Sequence, residues 1–214
     1  FGKLDAVSSL PEIETVKVSA AARLEIIQRE MPQSIVLFGH EGLARDDEDF
    51  IPAYVMNYVL GGGGFSSRLM TEVREKRGLA YSVTSYFYPL AHASLFIGQV
   101  ATQNTRVAES LDVIKAELAR LAQDGITDEE LQDAKTYLTG SYPLRFDTNE
   151  KIAGQLVAIQ DAELGIDYIV KRNSLIEAVT VEDIRRVAAR LLRPDDLIVT
   201  IVGQPEGLEE TAIE

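Results

Sequence analysis

The chain has 214 residues, 46% of them apolar and 26% charged, with 34 acidic against 21 basic side chains and a formal charge of −13. That excess repels phosphate backbones and excludes a general nucleic-acid binder, while leaving neutral or basic peptides as partners. There is no cysteine, hence no disulfide and no thiolate metal site, and no apolar run approaches the roughly 18 residues of a membrane-spanning helix.

Residues 1–18 contain Pro and Ser, are weakly periodic, and lack the basic start and apolar run of a signal peptide, so they read as a linker from a preceding domain. From Arg23, "RLEIIQREMPQSIVLFGHEGL" predicts two strands around a turn at Pro32. "RDDEDFIPAYVMNYVLGG" then predicts a helix, with Phe50, Ile51, Tyr54, Val55, Tyr58 and Val59 at helical spacing, Pro52 in the first turn and Gly61 as the stop. Its acidic start suits the positive end of the helix dipole.

"SSRLMTEVREK" predicts a short helix capped by Ser66 or Ser67, with Leu69, Met70 and Val73 inward and Gly78 just past its end. "AYSVTSYFY" and "ASLFIGQV", joined by "PLAH", predict a hairpin. The clearest helix starts near Asn104, where Val107, Leu111, Ile114, Leu118 and Leu121 form one stripe that Gly125 ends. Thr127 and Glu130 make a capping box for the next helix, which turns Leu131, Ala134, Tyr137 and Leu138 inward and breaks near Pro143. Two further helices lead to "TVEDIRRVAARLL", capped by Thr180 with Asp183, and "DDLIVTIVG" closes the fold as a buried strand. Strands gathered into a sheet with helices segregated from them predict an α+β fold, a mostly antiparallel sheet covered on one face. The expected domain runs from 19 to 205, followed by a frayed acidic tail at 206–214.

The two histidines, His40 and His92, lie fifty-two positions apart. Neither has the closely spaced second histidine and carboxylate of a zinc hydrolase, and each is expected as an exposed loop imidazole.

"LGGGGFSSRLMTEVREKRGLAYSV", residues 60–83, carries the candidate chemistry. Gly61, Gly62, Gly63 and Gly64 admit close approach of another backbone. They are followed by Phe65, Ser66, Ser67 and Arg68 rather than the Lys and Ser/Thr of a phosphate loop, and they follow a helix rather than a strand, so a nucleotide is not expected. The plain alternative is a mobile connection between helices. Arg74 and Tyr81 stand on either side of the turn at Gly78, which can bring a guanidinium and a phenol to one edge. Together they are donors suited to a carbonyl oxygen or an oxyanion; separately, one is ordinary helix-end complementation and the other ordinary strand packing.

The "SSRL…REKRGLAY" string, with "DFIPAYVMNYVLGG" before it and "GITDEELQDAKTYLTGSY" and "LIVTIVGQPEG" after it, resembles the non-catalytic half of the M16 metallopeptidases, and the resemblance covers essentially the whole chain. That family includes insulin-degrading enzymes, mitochondrial processing peptidases and bacterial zinc proteases. The resemblance implies paired α+β units around a peptide-enclosing chamber. One unit carries zinc on an inverted His-x-x-Glu-His motif; the facing unit lends an Arg and a Tyr seven positions apart, which Arg74 and Tyr81 match. The glycine run resembles a shortened form of the processing peptidase's glycine-rich loop, implying that Gly61–Gly64 contact substrate. No His-x-x-Glu-His occurs in this chain, so zinc is expected only in a catalytic partner, within the same polypeptide or a separate subunit. A dimer fits the same picture. So do a purely architectural role, like that of related respiratory core proteins, and a soluble location in the bacterial periplasm or cytoplasm. The purified chain is expected to hold no stoichiometric zinc by atomic absorption; one tightly bound equivalent would place ligands where the sequence shows none.

Overall fold

The computed structural model describes residues 10–18 and 21–210. Five strands form one sheet: β1 (Arg23–Gln28), β2 (Gln33–Glu41), β3 (Ala80–Leu90), β4 (Ala93–Gln103) and β5 (Ile198–Gly203), in the order β1-β5-β2-β4-β3. Only the β1–β5 pair is parallel. The described residues hold six α-helices: α1 (Phe50–Asn57), α2 (Val107–Asp124), α3 (Asp128–Gly140), α4 (Asn149–Asp161), α5 (Tyr168–Glu177) and α6 (Val181–Leu191). The fold is α+β, with a mostly antiparallel sheet whose helices lie on one face, as the sequence predicts.

The core lies between that face and the helices. Val36 and Phe38 of β2, Val83 of β3, Phe96 and Val100 of β4, and Val199 and Ile201 of β5 are buried there against the α2 stripe and against Ile184, Val187, Ala188 and Leu191 of α6. Each large side chain so buried contributes about 1.5–3 kcal/mol relative to exposure. The opposite face keeps Ile35 and Leu37 partly in solvent. For this reason β5 alternates buried and half-buried positions rather than being uniformly buried. It enters the sheet between β1 and β2, which therefore do not pair across the Pro32 turn.

Several local expectations change in the folded chain. The acidic start of α1 answers to more than the helix dipole: Asp49 is buried and bound by Arg186 and Arg190 of α6, and Asp47 by Arg190. A charge removed from water needs a partner, and here the partners clamp α6 to the start of α1. Tyr137 is exposed rather than inward, its ring stacked on Tyr58 with centroids 5.1 Å apart. His40 is not an exposed loop imidazole. It is buried in β2, stacked on Phe96 at 4.9 Å, with Nδ1 2.7 Å from the Glu41 carbonyl and Nε2 without a partner. Burial lowers its pKa and keeps it neutral. His92 is half-buried in the β3–β4 turn, where its carbonyl accepts from Val16 N. Residues 10–17 are exposed and in neither helix nor strand, and 1–9 lie outside the described residues. The expected tail is not free at its start: Glu206 N donates to the Asn104 carbonyl, Leu208 packs on the core and Glu210 accepts from Ile26 N, while 211–214 lie outside the described residues.

Gly61 does not end its helix. The chain continues from α1 through a π turn, Tyr58–Gly62, with Gly61 buried against β3. A Cβ there would lie 2.3 Å from Ser85 Oγ and 2.8 Å from Ser85 N. Asn57 brackets the contact, its Nδ2 donating to the Ser85 carbonyl at 2.9 Å and its Oδ1 accepting from Ser85 Oγ at 2.7 Å. Gly61→Ala should lower stability by about 1–3 kcal/mol, as overpacking does, read from the urea midpoint. Adding Ser85→Ala should not restore it, because the Ser85 backbone nitrogen still blocks the methyl; full rescue would show that only the hydroxyl matters.

Candidate functional site

The four glycines are wound, not loose. Gly63 N closes the π turn onto the Tyr58 carbonyl at 2.8 Å, and Gly64, at φ 59°, opens a 3-10 turn, Gly64–Ser66. Gly62 and Gly64 are exposed, Gly63 is half-buried and Gly61 is buried. Ser67 then caps the next segment, its hydroxyl accepting from Met70 N at 3.4 Å. That segment becomes a π helix, Met70–Glu75, with Leu69, Met70 and Val73 in the core and Arg74 in its last turn.

Gly78 reverses the chain at φ 62°, a conformation that costs a Cβ-bearing residue strain. Its N–H returns to the Arg74 carbonyl, and Leu79 N to that of Val73, both at 2.9 Å. β3 begins two residues later and is irregular at once. Its register against β4 moves from Ala80↔Thr102 to Val83↔Val100, so Tyr81 and Ser82 together oppose a single residue. This bulge turns two successive side chains outward, and Tyr81 is 81% exposed. Thr102 Oγ1 donates to the Leu79 carbonyl at 2.6 Å, and Val83 N reaches Met70 Sδ at 3.4 Å, securing both sides of the bulge.

Arg74 and Tyr81 thereby share one surface. The guanidinium carbon lies 5.2 Å from the centroid of the Tyr81 ring and 4.6 Å from that of Phe65. Phe65 is 63% exposed, and the sequence prediction omits it. The available signal is an aromatic directly after the glycines, in a stretch otherwise polar. Cation–π contacts on both rings hold the guanidinium without consuming its N–H groups. Among the described residues no carboxylate is paired with Arg74, whereas Arg68, Arg77 and Arg120 nearby are all in ion pairs. The site therefore presents unspent donors, a guanidinium fork and a phenol, flanked by exposed aromatic surface. Such a set can grip a carbonyl oxygen and the oxyanion derived from it. Among the described residues no group of three His, Cys, Asp or Glu side chains could hold a metal ion.

Ion pairs fix the segment behind the site. Arg68 forks onto Glu130, Nε to Oε1 at 2.6 Å and Nη2 to Oε2 at 2.7 Å, and also donates to the Gly125 carbonyl at 3.1 Å. The same Glu130 completes the capping box of α3 by accepting from Thr127 N at 2.8 Å. Arg120 of α2 forks onto buried Glu117, and Glu72 of the π helix accepts from Lys76 and Arg77. Arg68 Nη1 also lies 3.5 Å from Glu117 Oε1, and Arg120 Nη2 3.9 Å from Glu72 Oε1, so the Arg74 segment is tied to both α2 and α3.

The family model described as the Peptidase M16 inactive domain matches residues 1–138. An uncharacterized zinc protease of Streptomyces coelicolor is 38% identical over 178 residues, 82% of this chain and 38% of that protein. A non-peptidase homolog from Helicobacter pylori is 37% identical over 135 residues, 62% of this chain and 30% of its own length. Among solved structures, the peptidase M16 inactive domain from Pseudomonas fluorescens superposes with a TM-score of 0.83 at 31% identity, covering 96% of this chain and 48% of that one. The chain spans less than half the length of these relatives.

The network behind the site carries a pH dependence of its own. Burial pushes the Glu130 carboxyl up, but the Arg68 fork and the Thr127 N–H outweigh it and leave the pKa below its ordinary 4.5. Hydrogen bonds from Lys76 and Arg77 do the same for Glu72. A carboxylate lowered in the folded state stabilises fully above its unfolded pKa, and that stability is lost as pH falls through the folded value. The thermal midpoint should therefore fall below about pH 4.5, and Glu130→Gln should flatten part of that limb while lowering the midpoint at neutral pH. An unchanged acid limb in this variant would mean that the fork does not contribute.

Proposed function

The chain belongs to the peptidase M16 family, as an inactive domain, and on that footing we propose that it forms half of a peptide-enclosing chamber and lends Arg74 and Tyr81 to the active site of a catalytic unit. That unit lies in the same polypeptide or in a separate subunit, and zinc belongs to it, since this sequence has no His-x-x-Glu-His. The observation that carries the proposal is the convergence of an unpaired arginine and an exposed phenol across the Gly78 turn.

The chemistry follows from the donors. Arg74 N–H and Tyr81 O–H would hold the carbonyl oxygen of the scissile peptide and bind it more strongly as negative charge develops there. An interaction that grows toward the transition state raises kcat rather than only lowering KM. Phe65 and the exposed Gly62 and Gly64 would form the adjoining wall for the substrate backbone. Placing the donors on a bulge and a helix end, both anchored in the core, keeps them in position before substrate arrives.

The described residues contain no helix long and apolar enough to cross a membrane. A second reading, an architectural subunit without a part in proteolysis, draws support from the Helicobacter pylori relative named as a non-peptidase homolog. One variant separates the two. In the assembly with the catalytic unit, Tyr81→Phe should lower kcat on the order of 10²-fold, the scale of a lost oxyanion donor, with KM and the thermal midpoint little changed. Undiminished kcat would remove the catalytic assistance and leave the architectural role.

A further inference from the structure

A second cluster of arginines lies elsewhere on the molecule, in a cleft of about 270 Å³ between α1, the 3-10 turn Tyr142–Phe146, α4, α5 and the middle of β3. Arg45, Arg145 and Arg172 line it together with the phenols of Tyr54, Tyr142 and Tyr168, and its lining contains no Asp or Glu. In a chain with 34 acidic and 21 basic residues this is the reverse of the average surroundings. Among the described residues none of the three arginines is in an ion pair, although Asp49 and Glu117 elsewhere each engage two.

The donors are in surplus. Arg172 is only 4% exposed, a buried cation without a counter-ion. Its guanidinium lies 4.2 Å from the centroid of the Tyr142 ring. Three of its N–H bonds have protein acceptors: the Leu138 carbonyl at 3.0 Å, Asn173 Oδ1 at 3.1 Å and Tyr54 Oη at 3.4 Å. A guanidinium carries five. Tyr54 Oη also accepts from Arg145 at 3.5 Å, and Tyr168 Oη from Arg45 at 2.9 Å, so both phenols are turned into acceptors by arginine and keep their own protons to give. Tyr142 is 6% exposed, and among the described residues its buried hydroxyl has no hydrogen-bond partner. The Asn57 amide faces Ser85 instead, its Oδ1 accepting from Ser85 Oγ and its Nδ2 donating to the Ser85 carbonyl. A buried, unanswered donor costs about 1–3 kcal/mol, and the Tyr142 hydroxyl is one, set beside arginine and tyrosine donors with N–H and O–H bonds to spare in a cavity with aromatic walls.

We propose that this cleft binds an organic carboxylate: the two oxygens take the surplus N–H and O–H bonds, the charge answers Arg172, and an apolar body lies against Phe50 and Phe87. The carboxylate comes either from a small free acid or from the C-terminus of a peptide. Tyr86 and Phe87 of the lining belong to the same edge strand as Tyr81, about 17–20 Å further along it at roughly 3.3 Å per residue. The site is separate from the Arg74 and Tyr81 surface and does not depend on the role proposed there.

Calorimetric titration of the full chain tests it with four probes: 3-phenylpropionate, the tripeptide Ala-Ala-Phe, its C-terminal amide, and inorganic phosphate. Saturable one-to-one binding of either acid, without binding of the amide, supports the site. The tripeptide binding more tightly identifies a peptide terminus as the source, and phenylpropionate binding more tightly identifies a free acid. Arg172→Gln should abolish binding but removes a buried group and can unfold the chain. Tyr142→Phe and Arg145→Gln are the milder variants, each expected to weaken binding about tenfold, equivalent to 1.4 kcal/mol, with the fold retained by circular dichroism. Failure of both acids to bind, an amide as tight as the acid, phosphate tighter than either acid, or wild-type affinity in both milder variants would overturn the proposal.

Discussion

The pairing of Asn57 with Ser85, with the Gly61 backbone laid against the serine, is the contact on which the geometry of the candidate site depends. It is buried, reciprocal, and closed to any side chain at position 61. It sets the height of the π turn above β3, and from that height the chain passes through Gly64 to Phe65 and into the segment bearing Arg74. The same strand, traced backward from Ser85, leads through the bulge to Tyr81. Both halves of the donor pair are therefore referred to one buried hydrogen-bonded clasp. A close contact of this kind costs little when the backbone is bare and a great deal when it is not, which gives one glycine of the run a structural duty distinct from its exposed neighbours.

The electrostatics share a single theme. The chain is strongly acidic, and several of its arginines are consumed in forks: Arg68 on Glu130, Arg120 on Glu117, Arg190 on Asp47 and Asp49. The first ties the segment before Arg74 to α3 and the last ties α6 to the start of α1, while the Arg120–Glu117 fork lies within α2. Arg74, Arg45, Arg145 and Arg172 are held instead by aromatic rings and neutral acceptors. Ring faces attract a guanidinium without occupying its N–H groups. Arginines held this way keep their hydrogen-bonding capacity for something outside the chain, and an acidic background makes such positive spots locally distinct.

Much of the architecture was legible from local pattern. The α2 stripe, the capping boxes at Thr127 and Thr180, the β3–β4 hairpin and the turn at Gly78 each declare themselves within a few residues, because helix and strand periodicities and cap chemistry act over that distance. Helical spacing places Tyr137 beside Leu138 and Ala134 but cannot show where the core ends, and its ring lies beyond that limit, in solvent. His40 lies at a strand end, as "FGHEG" indicates, but the last residues of β2 still pair with β4, which carries the imidazole onto Phe96 and out of solvent, and no local signal records that.

By itself the sequence determined the kinds and limits of most elements, the absence of a zinc motif, and the placement of Arg74 and Tyr81 on either side of one glycine turn. Only the tertiary structure decided the insertion of β5 between β1 and β2, the bulge that exposes Tyr81, the addition of Phe65 to the site, and the cleft joining residues 45, 145 and 172. The physical reason is range. Periodicity and capping are local, whereas strand order, bulges and clefts are settled by which distant surfaces exclude water together, and no short stretch of chain records its partner in that choice.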